Sequence, residues 1–173
     1  MLLIGVDPGT SGAIAFRVRG SPVVRVFDMP KLTDLRRKKG ADGVVRSRVR
    51  TSVDLSAVAA LIDAETQDTP ARVFLEQVGV MPHDGGIQAF GFGVSYGGIK
   101  GVIAGLFLSC IEVRPAAWKK ALKVAADKNE ARARASELLP QGAHLWPLKK
   151  HDGRAEAAML TVYGETWLTE GEE

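Results

Sequence analysis

The chain has 173 residues, of which 46% are hydrophobic and 25% charged, so it can bury a sizeable core and is not a disordered polypeptide. Its formal net charge is only +3 and its pI is about 9.1, which alone single out no class of partner. The lone cysteine, Cys110, excludes an intramolecular disulfide and a cysteine-based zinc site and fits a reducing, cytosolic setting. The N-terminus lacks the basic region of a secretion signal, and the longest apolar stretch, residues 101–111, is too short to span a bilayer, so we expect no membrane association.

The opening of the chain has the pattern of three short strands. Residues 2–6 are a continuous apolar run that ends at Asp7-Pro8-Gly9, which predicts a buried strand followed by a turn. Residues 13–18 and 23–27 are rich in β-branched and aromatic side chains, and Gly20-Ser21-Pro22 between them is a turn signal. We therefore predict an antiparallel three-stranded meander.

Residues 29–51 are polar, basic and contain glycine, and we predict a long exposed loop there. Eight basic residues lie between positions 31 and 50 against only Asp34 and Asp42, a local excess of six positive charges. A block of this kind predicts contact with a polyanion. The basic residues are Lys31, Arg36, Arg37, Lys38, Lys39, Arg46, Arg48 and Arg50.

The rest of the chain alternates helical and strand patterns. Ser52 or Asp54 is suited to cap the first helix, which has an apolar stripe, and Ala71–Leu75 reads as a buried strand with Glu76 at its end. Strands alternating with helices favour an α/β layer fold with a central mixed sheet, in which parallel strands follow the meander. The remaining predicted elements are a loop at 78–86, a helix at 87–108, a strand at 111–114, and helices at 115–122, 127–139 and 151–168.

Four acidic residues stand where a site at the edge of such a sheet needs them. Asp7 and Glu76 end strands, and Asp152 and Glu156 are one helical turn apart, so they share a face. Mg²⁺ prefers oxygen ligands, and two ions about 4 Å apart can activate a water and stabilise the leaving oxygen of a phosphoryl displacement. Three of the four acids also have a plainer interpretation: a turn former for Asp7, a charge at a helix N-terminus for Asp152, and a surface residue for Glu156. Glu76 is harder to explain in this way, because charged residues are rarely buried without a partner.

Several motifs resemble those of a known family. MLLIGVDPGTSGAIA, FLEQV and KKHDGRAEAAML are similar to the signatures of RuvC-type Holliday junction resolvases, especially phage-encoded ones. GFGVSYGGIKGVI, VRPAAWKKAL and DKNEARARASELLP resemble the segments between them, and the likeness covers nearly the whole chain in the same order.

The resemblance implies one RNase H-like nuclease domain over residues 1–173, with a central mixed five-stranded sheet flanked by helices. It implies a homodimer in the cytoplasm of a bacterial cell or a phage-infected host. It also implies paired nicks in a four-way DNA junction, made with two Mg²⁺ ions per site, for which Mn²⁺ substitutes, and without a nucleotide cofactor. By position, Asp7, Glu76 and Glu156 take catalytic, metal-binding places.

The third catalytic place departs from the family pattern. The usual spacing between the last two catalytic residues, counted back from Glu156, reaches Gly153, which has no side chain to bind a metal. We therefore assign the place to Asp152. Since some relatives have a histidine there, His151 is the alternative ligand or acid–base helper, against the plainer interpretation of a helix-capping residue.

The family also places a phenylalanine soon after its EQV motif, where it wedges into the junction. Here Gly79 follows Val78, and the candidates for the wedge are Val80, Met81, Phe90 and Phe92, although Phe90 and Phe92 also suit a core or an interface. The Gly-rich helix around Phe90–Leu108 is a candidate dimer face. Beyond the basic block, the candidate phosphate-binding residues are Lys100, Lys119, Lys120, Lys149 and Lys150, for which solvated surface lysines are the alternative.

Three other functions fit parts of the sequence. GVDPGT also resembles the first phosphate loop of actin-like sugar kinases, but that fold needs two such domains, for which 173 residues are too few. An RNase H-like nuclease acting on flaps, single-stranded DNA or RNA would share the acidic set. A DNA-binding module with a decayed site would not need all four acids.

Overall fold

The computed structural model describes residues 1–39, 41–67, 69–79 and 85–171. Its strands are β1 (Leu2–Asp7), β2 (Ala13–Val18), β3 (Arg25–Asp28), β4 (Lys31–Lys39), β5 (Val45–Val53), β6 (Ala71–Glu76) and β7 (Ser109–Val113). Its α-helices are α1 (Leu55–Thr66), α2 (Gly86–Gly105), α3 (Pro115–Ala121), α4 (Lys128–Leu138) and α5 (Asp152–Glu170), with 3₁₀ turns at Pro140–Leu145 and Lys149–His151.

Five strands form one mixed sheet in the order β3-β2-β1-β6-β7. The first three pair antiparallel, while β6 runs parallel to β1 and β7 parallel to β6. The predicted meander and the predicted central mixed five-stranded sheet are therefore confirmed. Because β1 and β6 are parallel neighbours, their carboxyl ends lie side by side at one edge of the sheet.

Helices cover both faces of this sheet. On one face Leu3 belongs to a buried cluster that includes Trp118 of α3 and Leu160 of α5. On the other face Ile4 belongs to a cluster that includes Val58 of α1 and Ile103 of α2. Burial of both faces explains why β1 is a continuous apolar run and not an alternating one.

α5 is held tightly against β1 and β2. A Cβ at Gly5 would lie 2.1 Å from the backbone oxygen of Ala157, so only glycine permits this approach of helix and strand. Arg17 is buried and donates hydrogen bonds to the Oγ1 and the backbone oxygen of Thr161, both at 3.0 Å, and to Glu165 at 2.5 Å. These contacts determine where the first turn of α5 lies relative to the sheet edge.

The predicted long loop over residues 29–51 was wrong, because this segment forms a hairpin. β4 and β5 pair antiparallel as a separate two-stranded sheet, which contacts α2 through β5. Its turn includes Gly43 at φ +76°, and the Asp42 Oδ1 accepts a hydrogen bond from the Val44 N–H at 3.1 Å. Over residues 45–51, arginine alternates with valine, serine or threonine, but too few of these residues are apolar for the period to indicate a buried face.

The predicted helices are all present, with ends shifted by a few residues. Of the two candidate caps for α1, Asp54 is the N-cap, since its Oδ1 accepts a hydrogen bond from the Ala57 N–H at 3.0 Å. Asp127 caps α4 in the same way. Within the described ranges, no helix is both long enough and apolar enough to cross a membrane.

Candidate active site

The four predicted acids converge at one edge of the sheet. Asp7 is the last residue of β1 and Glu76 the last residue of the neighbouring β6, where it is only 8% exposed. Asp152 is the first residue of α5, and Glu156 follows one turn later. The start of α5 lies against β1, since a Cβ at Gly153 would lie 2.9 Å from the Asp7 Oδ2.

The charges of these acids act on one another. Burial, together with the nearby charges of Glu156, Glu76 and Asp152, raises the pKa of Asp7 from 3.8 to about 7. A 3.5 Å hydrogen bond from the Gly9 N–H to the Asp7 Oδ1 opposes this rise. Asp7 is therefore buried among other negative charges. A cation bound there would stabilise the charged form of its carboxylate.

Glu76 is held by a tryptophan. Burial raises the pKa of Glu76, and Glu156 adds to the rise. The indole Nε1–H of Trp118 donates a hydrogen bond to the Glu76 Oε1 at 3.0 Å, which favours the charged form and lowers the pKa. Trp118 is completely buried, so it holds the carboxylate of Glu76 in one orientation at the end of β6.

Two lysines neutralise the acids of α5. The Lys119 Nζ lies 2.9 Å from the Glu156 Oε1 and 5.1 Å from the centre of the Trp118 ring. Lys128 forms an ion pair with Asp152. Burial by itself would raise the pKa of Asp152, but the hydrogen bond and the charge of Lys128 hold it below its usual value.

The chemistry of this donor set fits a hard divalent cation, because all four side chains offer carboxylate oxygens and their mutual repulsion is unrelieved around Asp7. Their present arrangement does not yet form a cage. Among the side chains that the structure describes, no three of the types Asp, Glu, His and Cys are grouped closely enough to hold a metal ion. Asp152 and Glu156 instead face the ammonium groups of Lys128 and Lys119.

The surroundings of Gly153 and His151 bear on which residue could take the third catalytic place. A Cβ at Gly153 would lie 2.6 Å from the backbone oxygen of Ser11 as well as close to Asp7, so no larger side chain fits there. The Nδ1 of His151 accepts a 3.4 Å hydrogen bond from the Leu148 N–H, a local capping contact. Of Asp152 and His151, only Asp152 contributes to the raised pKa of Asp7.

Two clefts, each of about 300 Å³, flank the turn that follows Asp7. One lies between this turn, β5 and the start of α2, and its lining includes Thr10, Arg50 and Phe92. The other lies at the start of α5. Its lining is rich in basic side chains, and Arg154 there binds Asp28 through two hydrogen bonds of 2.6 Å. The residues lining this second cleft are Ser11, Gly12, Asp28, Lys31, Lys150, His151 and Arg154.

The other predicted phosphate-binding residues are scattered. Lys119 is in the acidic site, Lys150 lines the second cleft, and Lys100 is paired with Glu112 at 2.6 Å. Lys120 and Lys149 are exposed, on α3 and in the 3₁₀ turn before α5. Arg37, Lys39 and Arg50 are exposed on the hairpin. The side chains of Arg36, Lys38, Arg46 and Arg48 lie outside the described part of the structure.

Of the four candidates for the residue that wedges into the junction, Val80 and Met81 lie outside the described residues. Phe90 is 71% exposed near the start of α2, whereas Phe92 lines the cleft beside Arg50.

Sequence reasoning missed two residues that contact the acids. Trp118 binds Glu76, and Lys128 binds Asp152. A signal existed for each: a tryptophan in the first turn after Pro115 is unusual for an exposed short helix, and Lys128 directly follows a helix-capping aspartate. Neither signal identifies the carboxylate that the side chain meets.

No protein-family model matches the sequence, and no curated protein matches it significantly. Among solved structures, the chain is similar to Thermus thermophilus RuvC in complex with a Holliday junction substrate, with 16% identity, a TM-score of 0.58, and 96% of each chain covered. It is also similar to a second Thermus thermophilus RuvC structure, with 16% identity, a TM-score of 0.55, and 96% of this chain and 97% of that chain covered. At this identity the likeness concerns the fold: the chain adopts the RNase H-like fold of RuvC over nearly its whole length.

Proposed function

We propose that this chain is a divalent-metal-dependent DNA endonuclease that resolves four-way junctions by paired nicks. The observation that carries the proposal is the convergence of Asp7, Glu76, Asp152 and Glu156 at the end of β1. The fold supports it, because one similar structure is that of RuvC in complex with a Holliday junction substrate. Fold alone would not suffice, since one fold serves many reactions.

Asp7, Glu76, Asp152 and Glu156 would hold two Mg²⁺ ions, or Mn²⁺ in their place. When bound, the ions supply an activated water and stabilise the leaving oxygen of the phosphodiester. Asp7 must lose its proton to bind a cation, and its raised pKa makes that loss depend on pH near neutrality. The hydrogen bond from Trp118 favours the charged form of the Glu76 carboxylate and orients it, which would prepare it for a cation.

Lys119 and Lys128 would act as temporary counterions. They balance Glu156 and Asp152 in the metal-free protein. With those carboxylates bound to cations, the ammonium groups of Lys119 and Lys128 would be free to lie beside the phosphate, where their positive charge would stabilise the negative charge of the transition state. These ion pairs with lysine would explain why the four acids have suitable oxygen ligands but are not grouped closely enough to bind a metal in the metal-free protein.

The basic cleft beside His151 supports a nucleic-acid substrate. Lys31, Lys150 and Arg154 line it together with the Ser11–Gly12 turn, next to Asp7. A phosphodiester backbone that crosses the acids would pass directly into this cleft, where the cations contribute affinity without sequence preference.

We also propose that the protein is a homodimer and that the two chains meet through α2. Gly93, Gly97, Gly101 and Gly105 recur every four residues, so they form one stripe along α2. A Cβ at any of them would meet none of the described atoms within 4 Å, so the stripe packs against no part of the chain that the structure describes. A second α2 could approach closely there, and a two-fold dimer would match the symmetry of a four-way junction.

The test is cleavage of matched synthetic four-way junction, flap, single-stranded and duplex DNAs with Mg²⁺, beside a single-stranded RNA. We expect symmetric nicks confined to the junction, no requirement for ATP, and no cleavage by Asp7→Asn, which should still bind. Preferred cutting of the flap, of single-stranded DNA or of RNA would instead support an RNase H-like nuclease of another specificity. Cleavage by Asp7→Asn at the normal rate would refute the site, and binding without any cleavage would indicate a DNA-binding module. The proposed cellular setting, the cytoplasm, follows from this role.

A further inference from the structure

The first of the two clefts that flank the turn after Asp7 has no part in the proposed function. Thr10 lines this cleft, whereas the next residue, Ser11, lines the basic cleft. The Gly9 N–H of the same turn donates a 3.5 Å hydrogen bond to the Asp7 Oδ1. A ligand in either cleft would therefore lie against the turn that contacts Asp7. We call the first one the aromatic cleft, and its lining residues are Thr10, Arg50, Thr51, Ser52, Gly91, Phe92 and Ser95.

The aromatic cleft differs in chemistry from the basic cleft. The described lining of the basic cleft includes two lysines and an arginine, and its ring is the imidazole of His151. The described lining of the aromatic cleft contains one cation, Arg50, and the phenyl ring of Phe92. Phe92 is half-buried there, whereas Phe90, two residues earlier on α2, is 71% exposed. The basic cleft therefore suits phosphates, and the aromatic cleft suits a ligand that has a flat, partly apolar surface.

The polar side chains of the aromatic cleft are available to a ligand. The hydroxyl groups of Thr10, Thr51 and Ser52 form no hydrogen bond with any residue that the structure describes. The Arg50 guanidinium likewise has no ion-pair partner among the described residues. A hydroxyl group both donates and accepts hydrogen bonds, so three of them can match the mixed donors and acceptors on the edge of a nucleobase. An arginine can bind a phosphate or stack on a base, so the lining as a whole suits a nucleotide.

The size of the aromatic cleft limits what it can hold. Its volume is about 300 Å³, at the low end of the roughly 300–1,000 Å³ of small-molecule sites. This is room for a single base with its sugar, and not for a base pair stacked inside a duplex. Stacking of a base on an aromatic ring needs no particular sequence, because every base has a flat face. An unpaired base is therefore the ligand that fits both the size and the lining of the cleft.

We propose that the aromatic cleft is a subsite for one unpaired base of the bound nucleic acid, which stacks on Phe92 while neighbouring phosphates lie in the basic cleft. The hydroxyl groups of Thr10, Thr51 and Ser52 hydrogen-bond to the edge of that base. Arg50 binds the phosphate of the same nucleotide. Because Phe92 is half-buried, it receives a base within the cleft and does not wedge between stacked bases. The inference rests on the proposed function in that it takes the nucleic acid to be the substrate DNA.

Two single-stranded probes of equal length and charge test this subsite. One is an oligothymidylate of about ten nucleotides, and the other is a deoxyribose phosphate chain in which every base is missing. Binding of each labelled probe is measured without divalent metal over a range of NaCl concentrations. The unaltered chain should bind the oligothymidylate about tenfold more tightly than the abasic probe, since stacking on an aromatic ring accounts for roughly 5- to 150-fold in affinity per base.

Variants of two phenylalanines of α2 give the matched comparison. Phe92→Leu should lower the preference for the oligothymidylate from about tenfold to less than about twofold and leave the salt dependence unchanged, because no phosphate contact is lost. Phe92→Tyr keeps a ring and should keep the preference. Phe90→Leu makes the same change at an exposed position and should also keep it. Lys150→Gln, in the basic cleft, should instead weaken the binding of both probes equally and make the plot of log affinity against log salt shallower by about 0.7.

A second measurement needs no variant. An oligothymidylate that carries 5-iododeoxyuridine is irradiated in complex with the unaltered chain, and the cross-linked peptide should contain Phe92. A cross-link confined to other elements would overturn the inference. Equal binding of the two probes by the unaltered chain, binding of neither probe, an unchanged preference in Phe92→Leu, or an equal loss in Phe90→Leu would each do the same.

Neither measurement uses metal or cleavage, so the outcomes for the subsite and for the proposed function are separate. A chain that shows the base preference but cuts no DNA would count against the proposed function alone. Junction cleavage by a chain that lacks the preference would count against the base subsite alone.

Discussion

Gly153 lies so close to Asp7 that a Cβ at position 153 would be 2.9 Å from the Asp7 Oδ2 and 2.6 Å from the backbone oxygen of Ser11. This contact between the first turn of α5 and the end of β1 determines how the acids of the helix meet those of the sheet. It also explains why the first acid of α5 is at position 152: position 153 has no room for a side chain.

Replacing Gly153 should disrupt the candidate site. Gly153→Ala must push α5 away from the Ser11–Gly12 turn, and overpacking of this kind costs about 1–3 kcal/mol of the free energy of unfolding. We expect cleavage to fall together with stability. Gly86→Ala, at the first residue of α2, is the matched control: its Cβ meets open space, so it should be neutral or slightly stabilising. Gly153→Asp should be still worse, and a gain of activity in it would contradict the assignment of Asp152.

The stability of the metal-free protein should fall as the pH rises through neutrality. Burial and neighbouring carboxylates raise the pKa of Asp7 from 3.8 to about 7 in the folded state. The folded state therefore binds this proton more tightly than the unfolded state, and the resulting stability is complete below pH 3.8 and lost as the pH rises toward about 7. The loss attributable to Asp7 is on the order of 4 kcal/mol.

Urea unfolding at about pH 5 and about pH 8 without divalent metal measures the part of this loss that falls between the two conditions, about 2–3 kcal/mol. Asp7→Asn carries no ionisable group at position 7, so its free energy of unfolding should fall less between the two conditions. An identical fall in both proteins would show that Asp7 titrates normally. Adding Mg²⁺ at the higher pH should restore stability to the unaltered chain more than to Asp7→Asn.

Trp118→Phe should weaken the site through Glu76. The variant keeps an aromatic ring but removes the Nε1–H that binds the Glu76 Oε1 at 3.0 Å. Without that donor the pKa of Glu76 should rise further, so the pH at which cleavage reaches half its maximum should move upward. A stability loss of about 1–3 kcal/mol is expected for the unpaired buried carboxylate. Lower activity with an unchanged pH profile would indicate a packing role only.

Lys128→Gln should make cation binding easier. Lys128 competes for Asp152 in the metal-free protein, but the pair is largely exposed on the lysine side and is worth at most about 1 kcal/mol. The Mg²⁺ concentration that produces half of the thermal stabilisation should therefore fall by up to about fivefold. Lys120→Gln, an exposed neighbour of the site, removes the same charge and should change this concentration much less. If Lys128→Gln needs more Mg²⁺, the two cations do not compete.

Gly97→Leu should abolish the proposed dimer without harming the fold. Its Cβ would meet no described atom within 4 Å, and leucine favours a helix more than glycine does. Sedimentation or light scattering should report a dimer for the unaltered chain and a monomer for the variant, with Gly97→Ala intermediate. A Gly97→Leu protein that remains dimeric would exclude this face of α2.

The local sequence was sufficient for most of the secondary structure. The apolar run that became β1 is buried on both faces, the turn at Asp7-Pro8-Gly9 ends it, and Asp54 caps α1 through a contact three residues away. These features depend on residues close in the chain, so their patterns can be read directly. Asp7 and Glu76 could be identified for a related reason: a carboxylate at the end of an apolar strand is rarely buried unless it has a partner.

Only the tertiary structure decided the partners of those acids. Trp118 and Glu76 are 42 residues apart, and Lys119 and Glu156 are 37 apart, so each contact exists because α3 and α5 pack on the same face of the sheet. The hairpin at β4–β5 escaped the sequence analysis because its strands bury almost nothing, and without burial no apolar periodicity marks them. Local patterns report what a segment buries, whereas the identity of the groups that meet across the sheet depends on how every helix packs against it.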